Sequence, residues 1–133
     1  MTKSYYRQPF AESEDGIISE TNLKSDIDGD VVIISILGSS TAEENKKFVR
    51  ELQDFHKREF KYFIIDLTEI RILQSAMIGA ILNLAQDVSS SGSLCIVNRS
   101  DRIRYELDIT RVSEVIPIFD TTKLALQSFK PSS

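Results

Sequence analysis

The sequence predicts a single α/β domain, a mixed and mostly parallel sheet of about five strands packed with about four helices. Three observations carry that expectation. Continuously apolar runs, chiefly Tyr62 to Ile65, suit strands covered on both faces, as in the interior of a parallel sheet. Stretches with apolar residues at helical spacing separate those runs. An Asp-Gly pair between two apolar-rich runs, Asp28-Gly29, marks an opening hairpin. At 133 residues and 41% hydrophobic composition the chain can bury one continuous core, and two full domains would not fit.

Taken in order, residues 1–22 are polar and aperiodic, with Glu12, Glu14, Asp15 and Glu20 among serines, and read as a flexible N-terminal extension. The folded unit is expected over residues 23–129, with 130–133 as a fraying tail. Leu23 to Ile27 and Val31 to Leu37 form the hairpin. Thr41 and Glu44 have capping-box spacing, and Phe48, Leu52 and Phe55 then recur on one helical face, so a helix runs to about Arg58. The strand at Tyr62 ends on Asp66. Ile78, Ile81, Leu82 and Ala85 place a well-buried helix over Ser75 to about Val88. The serine-rich linker around Gly92 breaks it, and Leu94 to Val97 is another interior strand. Ser100 caps a third helix with Ile103 and Leu107 inward, Ile116 to Phe119 supplies a last strand, and Asp120 caps a closing helix carrying Leu124, Ala125 and Phe129.

Composition excludes several function classes. A net charge of −4 provides no basic field for a phosphate backbone, so nucleic acid is not an expected partner. No stretch approaches the ~20 apolar residues that cross a bilayer, and the N-terminus has no signal-peptide core, which predicts a cytoplasmic protein without membrane insertion. The single cysteine, Cys95, lies inside an apolar run and reads as a small buried group. His56, the only histidine, sits near the polar end of the first helix and reads as solvated. No metal-ligand spacing, phosphate loop or nucleophile-elbow motif occurs, so no cofactor, metal site or catalytic residue is expected. Asp66 lies at the carboxyl end of a central strand, where open α/β sheets place functional loops. It is expected to accept backbone N–H bonds in the following turn, ahead of an acid/base pairing with Glu69.

The stretch Phe63-Ile64-Ile65-Asp66-Leu67-Thr68 through Gln74-Ser75-Ala76-Met77-Ile78-Gly79 resembles the core of STAS domains, the fold of bacterial anti-sigma-factor antagonists. In that family a strand ending in Asp-Leu-Ser/Thr leads to Asp-Ser-Ser/Thr/Ala-Gly-Leu/Ile-Gly at a helix start. Ser91-Gly92-Ser93-Leu94 is similar to the family's entry to the next strand, and Leu107 to Val112 with Phe119-Asp120-Thr121 resembles its later helix, turn and final strand. The opening hairpin from Asp28 to Gly38 matches as well, so the likeness spans about residues 23–129.

This resemblance implies a docking protein, not an enzyme, that exchanges partners when one serine at the helix start is phosphorylated. Ser75 occupies that position. The implied partners are an anti-sigma factor that is a serine kinase of the histidine-kinase-like ATPase type, and a serine phosphatase. The implied docking face combines Gly38, Ser39, Ser40 and Thr41 with Gln74, Ser75, Met77 and Ile78, supported by Asp66. Gln74 stands where the family usually has Asp, and Met77 where it usually has Gly. These departures point to an alternative, a STAS scaffold or complex subunit that has lost the switch. Read from the residues alone, Ser75 is an N-cap.

Overall fold

The computed structural model describes residues 2–6, 23–39 and 42–129, with the backbone alone for 2–6. Strand β1 (Thr2–Tyr6) is followed by β2 (Leu23–Asp28) and β3 (Val31–Ile36), which are joined by a two-residue turn. Gly29 occupies that turn at φ +65°, a conformation open to glycine at little cost. A short strand β4 (Gly38–Ser39) precedes helix α1 (Ala42–Lys57) and strand β5 (Tyr62–Asp66). Next come β6 (Ile70–Ile72), α2 (Ser75–Val88), β7 (Ser93–Val97), α3 (Asp101–Ile109), α4 (Val112–Val115), β8 (Ile118–Phe119) and α5 (Thr122–Ser128).

The main sheet has the order β1-β2-β3-β5-β7-β8. Its β1 and β2 pairings are antiparallel, while β3, β5, β7 and β8 run parallel, giving the mixed, mostly parallel sheet that the apolar runs predict. The central strands are buried on both faces: Phe63, Ile64, Ile65 and Ile96 have no exposed surface. On one face, Phe48 and Leu52 of α1, Ile81 and Leu84 of α2 and Ile103 and Leu107 of α3 pack with Val32, Ile34, Phe63 and Ile65 in the larger core. On the other, Val31, Ile33, Ile64, Cys95 and Val97 meet Ala125 of α5. One polar pair enters the larger core's edge, where buried Ser25 donates to Glu51 Oε1 at 3.1 Å.

Three expectations need correction. Residues 2–6, expected within a flexible extension, form an edge strand with Tyr6 opposite Lys24 and Thr2 opposite Asp28. The ladder to β2 supplies backbone partners that no local periodicity announces; residues 7–22 and 130–133 lie outside the described residues. The closing helix is capped by Thr121, not Asp120. Helix α5 begins at Thr122, so the hydroxyl of the residue just before it reaches the Leu124 N–H at 3.1 Å, and Asp120 lies one residue too early. The last strand is shorter than expected, because Val112 to Val115 wind into α4 and the Ile116 N–H donates to the Val112 carbonyl. Arg111 makes the turn between α3 and α4 at φ +66°, and Asp108 ties the two helices by accepting from Ser113 Oγ at 2.6 Å, while within α3 it also accepts from Arg104 Nε at 3.1 Å. Those bonds, Ser113's first, hold the Asp108 carboxyl below its usual range. The expected cap at Ser100 is present, accepting from the Ile103 N–H at 3.3 Å.

Candidate functional site

Strand β5 delivers Asp66 to the carboxyl end of the sheet. Its Oδ1 accepts from the Thr68 N–H at 2.9 Å and the Thr68 hydroxyl at 2.8 Å, the turn-closing role expected of it. The same Oδ1 is therefore committed to the loop, and Glu69 is exposed. The Leu67 N–H donates to the Val97 carbonyl at 2.8 Å, which anchors the loop's start to β7.

The chain then forms β6, which pairs in parallel with β4, Gly38 opposite Ile70 and Ser39 opposite Ile72. Gly38 sits at φ +70°, its N–H donates to the Glu69 carbonyl at 2.9 Å, and the register shifts between Gly38 and Ser39. A left-handed residue at this irregularity turns the chain out of β3 and onto a second, two-stranded sheet. That ladder brings two segments more than thirty residues apart in sequence, Gly38–Ser39 and the approach to Ser75, to the same place.

Helix α2 starts at Ser75. Gln74 is its N-cap residue in extended conformation, and its carbonyl accepts from the Met77 and Ile78 N–H groups at 3.0 and 3.2 Å. The Gln74 side chain does not cap the helix. Ser75 is thus the first helical residue, one place past the N-cap expected from its residue type, and it is exposed, as are Gln74 and Ala76. The first turn contains no acidic residue.

Met77 and Ile78 do not join a docking face. Met77 has no exposed surface and Ile78 retains 7%, so both side chains belong to the core. For Met77 the reason is helical geometry, since successive residues turn by about 100° and it points away from an outward Ser75, whereas Ile78, only about 60° round from Ser75, is covered by neighbouring core residues. Ser40 and Thr41 lie outside the described residues, as does the Glu44 side chain of the expected capping box. A residue that sequence reasoning missed stands in their place. Ile72 is 54% exposed, directly across from Ser39 and three residues before Ser75. The signal was an apolar surplus in a loop, since Ile70 and Leu73 already fill the inward positions.

His56 and Cys95 read as expected. His56 is exposed in the last turn of α1. Burial pushes the Cys95 thiol up to about 12, so it stays protonated and unreactive at neutral pH. Among the described residues no three His, Cys, Asp or Glu side chains cluster as metal ligands, and no helix is long and apolar enough to cross a membrane.

The fold and this loop-to-helix site define an α/β domain that presents a serine at a helix start beneath a small parallel ladder. A family model described as the STAS domain matches residues 22–125, and the chain belongs to that family. It is 28% identical over 102 residues to a Thermotoga neapolitana protein named as a candidate anti-sigma factor antagonist, covering 74% of this chain and 88% of that one. Among solved structures, an anti-sigma factor antagonist from Mycobacterium paratuberculosis superposes with a TM-score of 0.78 at 14% identity, over 90% of this chain and 99% of that one. The Bacillus cell fate determinant SpoIIAA in its phosphorylated form gives 0.66 at 12% identity, over 84% and 100%.

Proposed function

We propose that this protein is an anti-sigma-factor antagonist-like docking module, working in the cytoplasm, that is switched by phosphorylation of Ser75. The observation that carries this reading is the exposed Ser75 at the first position of a 14-residue helix, beside the β4–β6 ladder. A helix N-terminus carries unpaired N–H groups and partial positive charge, and the first turn of α2 adds no carboxylate to oppose an anion. Phosphoserine is therefore tolerated by the fold. At a docked interface the same group adds about −1.5 to −2 charges, which penalises a partner surface packed against it. The family supports the reading, as do relatives named for anti-sigma factor antagonism and a structural neighbour known in a phosphorylated form.

The partner in this scheme is an anti-sigma factor that is also a serine kinase of the histidine-kinase-like ATPase type. It transfers the γ-phosphoryl group of ATP to the Ser75 hydroxyl, and a serine phosphatase hydrolyses the ester. Docking uses Gly38, Ser39, Ile72, Gln74 and Ser75, with exposed Ile72 as the apolar anchor. Incubation with the host's kinase and ATP should add roughly 80 Da, one phosphoryl group, at Ser75 and nothing to a Ser75→Ala protein. Ser75→Asp should weaken kinase binding by ~100-fold, close to 3 kcal/mol. An unmodified Ser75 together with equal binding by wild type, Ser75→Ala and Ser75→Asp would favour the second reading, a scaffold without a switch. Gln74, exposed beside Ser75 in place of the family's usual acid, is the feature that favours it.

A separate expectation concerns Ile72. Ile72→Asp should leave the unfolding midpoint unchanged, because the side chain is more than half exposed, and weaken docking by about ten-fold or more. Surface plasmon resonance against the same kinase checks it, and unaltered affinity would remove Ile72 from the interface.

A further inference from the structure

Two positions of α2 can cover Ser75 from within the helix. Side chains in a helix tilt toward its N-terminus, so the surface over Ser75 falls to the residues three and four places on, Ile78 and Gly79. Ile78, about 60° round from Ser75, is drawn into the core and keeps 7% of its surface. Gly79 lies about 40° round on the other side and about 6 Å further along the axis, and has no side chain to lean over. Neither shields Ser75, which is exposed.

Nothing in the fold itself asks for glycine at position 79. The positive-φ glycines of the described residues are Gly29 and Gly38, so Gly79 has a backbone conformation open to any residue. A Cβ there would meet no atom of another element within 4 Å, so close packing does not require its absence either. In the interior of a helix, glycine is destabilising relative to alanine. Position 79 thus weakens α2 without serving its backbone or its packing, which places the reason outside the chain.

We infer that Gly79 sets access to Ser75: its missing side chain leaves the hydroxyl open to a phosphoryl donor approaching over the first turns of α2. The inference rests on the phosphorylation proposed above and names the residue that governs it. Serine is a short nucleophile, so the γ-phosphorus of ATP must come within about 3–3.5 Å of Oγ, almost against the helix backbone. As the Oγ–P bond forms, the bond from phosphorus to the β–γ bridging oxygen breaks, ADP departs, and the hydroxyl proton passes to a base of the kinase. A long side chain at position 79 would lean over Ser75 and hold the donor off, and a misplacement of about 1 Å costs on the order of 100-fold in rate.

Two readouts on the full chain test it, one of them independent of any kinase. In a Ser75→Cys protein the introduced thiol is the reactive one, because Cys95 is buried and its thiol is pushed up to about 12. Adding Gly79→Leu should slow its reaction with an aromatic disulfide reagent at least about five-fold, while Gln86→Leu, exposed on the same side but about three turns beyond Ser75, leaves the rate within about two-fold. With Ser75 in place, the host's kinase and ATP should phosphorylate Gly79→Ala with kcat/KM lowered about three-fold and Gly79→Leu about thirty-fold or more. Neither substitution should lower the thermal midpoint, and Gly79→Ala should raise it by roughly 2–4 °C, since both residues are better helix formers than glycine. Unchanged thiol reactivity in the Gly79→Leu protein, phosphorylation as fast as in wild type, or a lowered midpoint would each overturn the inference. A wild-type Ser75 left unmodified by the kinase, with the thiol reaction still slowed by Gly79→Leu, would remove the phosphorylation reading alone and leave Gly79's control of access standing.

Discussion

A Met77→Ala protein should lose about 2–5 kcal/mol of folding stability and, where still folded, bind its partner as wild type does. Met77 lies in the first turn of α2 with no exposed surface, in the core cluster that also holds Phe48, Phe63 and Ile81. Truncation removes most of a flexible side chain from between helix and sheet, and the neighbouring β-branched and aromatic groups cannot all close the gap. Urea unfolding measures the loss as a lower midpoint at unchanged slope. Binding measured well below that midpoint separates core from interface. If Met77→Ala left stability intact and reduced docking instead, the side chain would have to face the partner, and the orientation of α2 given above would be wrong.

Gly92→Ala should cost about 3 kcal/mol or more, an unusually large penalty for adding one methyl group. Gly92 ends the turn after α2 with its N–H on the Val88 carbonyl at 2.7 Å, and the next residue, Ser93, donates to the Lys61 carbonyl at 3.0 Å. A Cβ at position 92 would be driven into that same Lys61 carbonyl oxygen and stand 2.6 Å from its carbon. The obstacle is backbone, so no rotamer change relieves it. Lys61 immediately precedes β5, whose Tyr62 is opposite Ser93, so relief requires the β5 and β7 strands to separate where their ladder begins. Thermal and denaturant unfolding should both register the loss. A variant within 1 kcal/mol of wild type, itself a difference of about five-fold in the folding equilibrium, would mean that the strand entry is looser than described.

These two positions also show what the sequence carried and what it did not. Helix α2 was legible to both ends, Ser75 and Val88, because its apolar stripe is continuous and a serine-glycine linker follows. Residues 62–65 declared a strand buried on both sides, and Asp28-Gly29 the hairpin, because each signal is local and strong. Asp66 closed its own turn as its residue type and place suggested. The proposed docking face was only partly legible. Which side of α2 faces out depends on where the preceding loop releases the chain, and that is set by β6 pairing with β4, a parallel contact across thirty residues that leaves no periodic trace in three residues of strand. Ser75 faces outward at the helix start, whereas Met77 is turned about 200° from it into the core, and Ile78, on Ser75's side of the helix, is covered by its neighbours. Strand β1 escaped notice for a related reason: a polar edge strand acquires its identity from its neighbour's free backbone groups rather than from its own pattern.

In the docking proposed above, the two-stranded ladder of β4 and β6 separates addressing from architecture. Ser39 and Ile72 are held opposite each other by main-chain pairing, and Ser75 follows three residues after Ile72 at the start of α2. Under that docking, substitutions at these three positions would change which partner is recognised while the scaffold stays unaltered.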